Sequence, residues 1–96
     1  MKELVIPPAA FQDSTSLEVL RVWIARNEQH ITLLAGIWDD PGAWGILLAD
    51  LARHIVNAYM LEEEIDPEEF LTRIRALFDA ELNSPTDAPR GKIMIH

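Results

Sequence analysis

Asp50 and His54 stand four residues apart in the stretch GILLADLARHIVN, a spacing that puts two side chains on one face of a helix. A carboxylate and an imidazole so placed make half of a metal site, or a general base oriented by its neighbour. Metal sites usually need three or four ligands, and no third ligand falls at a local spacing from this pair. Nothing at a local sequence spacing marks His30 or His96 as a further metal ligand either. The pair serves as well as an ordinary contact on a solvated helix, contributing about 0.2–0.5 kcal/mol. That is the preferred reading, and Asp50 and His54 are the only metal candidates.

Glu62-Glu63-Glu64-Ile65-Asp66-Pro67-Glu68-Glu69 holds six carboxylates in eight residues. It lacks the alternating oxygen ligands and central glycine of an EF-hand loop, and acidic residues at a helix start already answer the macrodipole. A solvated turn between helices is expected, with a docking patch for a basic partner as the functional alternative. Asp39-Asp40 could share a proton if buried, but their place before Pro41 favours capping. Trp38 and Trp44 flank that turn as packing residues. The four glycines, at 36, 42, 45 and 91, are isolated. No phosphate-binding loop, nucleophile elbow or H-E-x-x-H motif is present, so no catalytic residue and no cofactor is assigned.

Eight Lys and Arg against sixteen Asp and Glu leave a net charge of −8 in 96 residues, with the cations scattered along the chain. Nucleic acids and anionic membranes are therefore poor partners. The absence of cysteine excludes thiolate chemistry and fits a reducing, cytoplasmic setting. Pro7-Pro8 cuts short the apolar run Leu4–Ile6, which is too brief for a signal peptide. The apolar stretch around Gly45 to Ala49 is too short for a membrane span. With 49% apolar residues the chain is a globular protein, small enough to gain by associating.

The elements that must position these residues follow from periodicity. Residues 1–16, broken by Pro7-Pro8 and by Gln12-Asp13-Ser14-Thr15-Ser16, are expected to be extended and irregular, with room for a short strand at Glu3–Ile6. Thr15 and Glu18 have capping-box spacing, yet the residues that follow are strand formers. Leu20, Val22 and Ile24 alternate along a strand near 17–26, and Ile31, Leu33 and Ala35 along another near 29–37. Pairing Ile24 with Ile31, Val22 with Leu33 and Leu20 with Ala35 makes one face wholly apolar. The other carries Arg21, Trp23 and Ala25 with His30, Thr32 and Leu34.

Asp40 and Pro41 open a helix near 41–62, with Trp44, Leu47, Leu48, Leu51, Ile55, Ala58 and Tyr59 in an apolar stripe wide enough to be covered on two sides. Asp66-Pro67 opens a second, amphipathic helix near 67–82. Residues 83–96 form a proline-containing tail, whose final alternation Lys92–His96 suits a short edge strand.

LRVWIA from Leu20 to Ala25 and WDDPGAWGILLADLARH from Trp38 to His54 resemble a family of short bacterial proteins, domain of unknown function 5076, over residues 17–82. The resemblance implies a bacterial, alphaproteobacterial origin and supplies no activity, cofactor or site residues.

The expectation is an α+β fold, an antiparallel hairpin packed on two helices (ββαα) in a single domain over 17–82, with Leu20, Val22, Ile24, Ile31, Leu33, Leu48, Leu51, Ile55, Ile74 and Phe78 in one core. Enzymatic activity is not expected. The expected function is an acidic cytoplasmic interaction module acting as a homo-oligomer or accessory subunit; the alternative is a small metal-dependent enzyme or ligand binder using Asp50 and His54. The interface of a homodimer is expected at Arg21, Trp23, Thr32 and Leu34, with Trp23 near its centre and Arg21 stacked on it. Cover of that face by residues 1–16 or by the C-terminal strand is the competing arrangement.

Overall fold

The computed structural model describes residues 1–86 and 93–95. Their order is α1 (Pro8–Gln12), β1 (Leu20–Ala25), β2 (Glu28–Leu33), α2 (Gly42–Glu62), α3 (Pro67–Asn83) and β3 (Ile93–Ile95). The fold is α+β, with the hairpin preceding the two long helices. It falls into two compact units, one holding α1 and the sheet, the other running from Trp38 through α2 and α3. The remainder of the expected C-terminal tail, residues 87–92 and 96, lies outside the described residues.

β1 and β2 pair antiparallel, and β3 joins the free edge of β2 in parallel, giving the order β1-β2-β3. The hairpin differs from expectation in register. Leu20 faces Leu33, Val22 faces Ile31 and Ile24 faces Gln29, a two-residue shift from the expected pairing. The cause is the turn. Arg26 and Asn27 both adopt positive φ, 56° and 60°, which is the backbone of a two-residue hairpin whose twist matches its strands. Asn tolerates that region, but Arg rarely enters it, so the sequence carries little warning of so tight a turn. Because side chains alternate with period two, a shift of two keeps every residue on its expected face, but it sets Gln29 opposite Ile24 on the apolar face and leaves Ala35 beyond β2.

The N-terminal segment is also corrected. Pro8–Gln12 form a helical turn rather than an irregular segment, Pro8 suiting the first helical position, and Glu3–Ile6 form no strand. Thr15 does not cap a helix; its amide and hydroxyl donate to Asp13 Oδ1 at 2.9 and 2.6 Å.

α3 begins where its capping residue directs, whereas at α2 the cap position falls on Pro41 and Asp40 stands one residue before it. Asp66 accepts from the amides of Glu68 and Glu69 at 3.0 and 3.3 Å, satisfying two of the amides a helix start leaves unpaired. Asp40 accepts from the Gly42 amide at 2.8 Å, and Pro41 precedes the helix instead of opening it. α2 and α3 form a helical hairpin in which the Tyr59 and Phe70 rings meet at 4.9 Å across the connection. At the other end of α2, Trp38 packs edge-on against Trp44 at 5.1 Å.

The expected core is not buried as such. Val56, 6% exposed, is the only buried apolar residue among those described. Leu20, Ile31, Leu33 and Ile74 are half-buried, whereas Val22, Ile24, Leu48, Leu51, Ile55 and Phe78 are exposed. The α2 stripe is wide enough for two neighbours, and α3 supplies one of them.

Candidate functional site

Asp50 and His54 lie on α2, both exposed. Among the described residues, no three His, Asp or Glu side chains gather closely enough to hold a metal ion. No ion pair or hydrogen bond joins Asp50 to His54 among the described residues, so the contact that their spacing allows is not formed.

Arg21, Trp23, Thr32 and Leu34 share one face of the hairpin. Arg21 lies opposite Thr32 and Trp23 opposite His30, and the Leu34 amide donates to Val19 O at 3.0 Å, carrying the ladder beyond β2. The Arg21 guanidinium is taken by carboxylates: it meets Glu18 at 3.0 Å and Glu3 at 3.7 Å. The hydrogen bond to Glu18, more than any other influence, raises its already high pKa. Trp23 is half-buried. It lines a groove of about 640 Å³ with Leu4, Phe11 and Leu17 of the N-terminal segment, so residues 1–16 do approach β1.

Two surface carboxylates are held below their ordinary pKa. Asp13 is lowered by the Thr15 hydroxyl and amide, and Glu81 by the hydroxyl and amide of Thr86. Both are turn-forming contacts on exposed chain. In the acidic run, Asp66 is occupied as a cap, while Glu62, Glu63, Glu64, Glu68 and Glu69 face solvent. Among the described residues, the ion pairs are those of Arg21.

The surfaces that sequence reasoning assigned to the interior are the more telling ones. On the sheet, Val22 and Ile24 are 50% and 69% exposed, and β3 extends their face with Ile93 and Ile95. On α2, Leu48, Leu51 and Ile55 are each roughly two-fifths exposed. A smaller apolar groove of about 270 Å³ lies between α2 and α3, lined by Leu48, Ala49, Ala52, Leu71, Ile74 and Phe78 among others. Alternation and helical periodicity had marked most of these residues as apolar faces; neither signal says what covers them.

The family description of a domain of unknown function, DUF5076, matches residues 3–86. The chain belongs to the DUF5076 family. No functionally curated protein matches it. A solved structure from the photosynthetic bacterium Rhodopseudomonas palustrus CGA009, provisionally assigned as a pyruvate dehydrogenase, is similar to this DUF5076 chain at 36% identity and a TM-score of 0.75. The likeness covers 94% of this chain and 92% of that one. Among the described residues of this DUF5076 chain, no helix is long and apolar enough to cross a membrane.

Proposed function

We propose that this DUF5076 chain is a small acidic protein-interaction module that works by associating with a second copy of itself, alone or as the accessory subunit of a larger assembly. The observation that carries the reading is the inverted burial of its apolar residues. Val56 is buried, while large side chains on the sheet and on both long helices stand exposed. Apolar surface on that scale marks an interaction site, because a soluble monomer rarely leaves contiguous apolar patches open. Asp50 and His54 enter this reading as surface residues.

A basic protein is the favoured heterologous partner. Glu62, Glu63 and Glu64 are exposed and lie outside every ion pair among the described residues, and they can steer a cationic surface toward the end of α2. A cytoplasmic setting accords with the cysteine-free sequence. The test is the mass in solution by light scattering at about 10 µM, a concentration at which even a micromolar dimer is largely formed. Twice the 10.9 kDa of one chain supports the reading; the mass of a single chain overturns it.

A further inference from the structure

We infer that the N-terminal segment, residues 2–11, is a strap that closes the free edge of β1 against a second copy of the chain, with Glu3 as its latch on Arg21. The inference rests on the proposed self-association and adds the device that regulates it. β1 is an outer strand of the sheet, whose order is β1-β2-β3. The bond from the Leu34 amide to Val19 O marks those two residues as a hydrogen-bonded pair. By alternation Arg21, Trp23 and Ala25 turn their backbone groups toward β2, and Leu20, Val22 and Ile24 turn theirs outward. Such a row is a template for another strand.

What covers that edge is the chain's own start. A turn at Asp13 sends the chain back, the Asp13 carbonyl accepting from the Ser16 amide and hydroxyl at 3.1 and 2.7 Å. Glu3 then meets Arg21 at 3.7 Å, and the groove of about 640 Å³ lies between this segment and β1. Leu20, Arg21, Val22 and Trp23 alternate between the two faces of the sheet, yet all four line that groove, so it follows the edge and not one face. Every lining residue falls within 2–23. The strap is built to lift. No backbone hydrogen bond joins residues 2–11 to β1 among the described residues, and Pro7 and Pro8 have no N–H with which to zip onto it. Leu4, Val5 and Phe11 stand 87%, 92% and 76% exposed. The latch itself is an ion pair of two exposed side chains, which holds weakly and is screened by salt.

A second β1 fits the opened edge. Antiparallel pairing of two copies about Val22 sets Leu20 opposite Ile24 of the second copy and Val22 opposite its own counterpart on one face; on the other, Arg21 meets Trp23 of the second copy. Apolar residues thus face apolar ones, and each guanidinium, released from Glu3, comes to an indole face. β1 holds no carboxylate. In a chain of net charge −8 it is therefore a strand along which two copies approach without setting like charges directly opposite one another. Pairing joins the two sheets into one, and each strap must lift for it to form.

Sedimentation velocity and cysteine cross-linking of the full chain test this, with circular dichroism confirming the fold of each variant; the wild type has no cysteine. Glu3→Arg, which turns the latch against Arg21, should lower the dissociation constant roughly tenfold, since both copies must open to pair. Glu64→Arg makes the same change of charge away from the strap and should leave the constant within about threefold of the wild type. Under mild oxidation Val22→Cys is expected to form a disulfide-linked dimer and Ile24→Cys is not, because only at the two-fold axis do equivalent positions come within about 7 Å. Adding Glu3→Arg should raise the yield of the Val22→Cys link. Glu3→Arg indistinguishable from Glu64→Arg overturns the strap. Ile24→Cys linking in place of Val22→Cys, or neither linking, overturns the pairing of edges; both results leave self-association standing. A monomeric wild type beside a dimeric Glu3→Arg upholds the strap alone, and a monomer in every variant overturns both.

Discussion

Asp13 and Glu81 show what single residues contribute here. Each carboxylate is exposed and held by a threonine two or five positions on, so its charged form is favoured and its pKa lies below the ordinary value. A folded pKa below the unfolded one stabilises the turn above the unfolded value, and that stabilisation fades as pH falls through the folded one. NMR titration should therefore find Asp13 protonating at lower pH than a free aspartate, and Thr15→Val should return it toward the ordinary value. Asp50 and His54 are expected to be energetically quiet. Alanine at both should change stability in thermal melts by less than about 1 kcal/mol, and zinc should bind wild type and double variant alike. Stoichiometric zinc lost in the double variant would instead restore the metal reading.

Among the elements, the hairpin and the helices differ in how their local signals read out. Asp66 is a direct case: cap, proline and acidic first turn coincide in sequence and in structure, and Asp66→Ala should cost about 1 kcal/mol in denaturant unfolding. The hairpin turn is the opposite case. Arg26 and Asn27 hold φ values that L-residues rarely adopt, so the double substitution Arg26→Asn with Asn27→Gly, which installs the preferred Asn-Gly turn, should stabilise the hairpin by about 1 kcal/mol. An unchanged or lowered midpoint would mean that the turn is not strained. Periodicity alone did place the two strand faces correctly, because a shift of two residues preserves them. The same logic could not see α1, whose five residues are too few for a periodic signal.

At the scale of the molecule the apolar residues outnumber the places that bury them. Leu51→Ala, expected from the sequence to open a core cavity worth about 2–5 kcal/mol, removes a side chain that is 43% exposed. Any part of its cost that reflects the proposed self-association should therefore grow as protein concentration rises above the dissociation constant and vanish well below it. Val56 is the contrasting site: Val56→Ala should lower stability by about 2 kcal/mol at every concentration, since its burial lies within one chain. Melting both variants over a hundredfold range of concentration separates the two behaviours.

Local chemistry is what the sequence determined by itself. Aspartate–proline pairs announced the starts of both long helices, and alternation announced the two strands and their faces. These properties act over a few residues and survive in any context that folds. Only the tertiary structure decided the rest: the tight turn and its register, the parallel pairing of β3 with β2, the helical turn at Pro8–Gln12, and the meeting of Tyr59 with Phe70 across the helical hairpin. Periodicity records that a face avoids water. Whether that face meets its own chain or another depends on where distant elements lie, and no local pattern encodes that position.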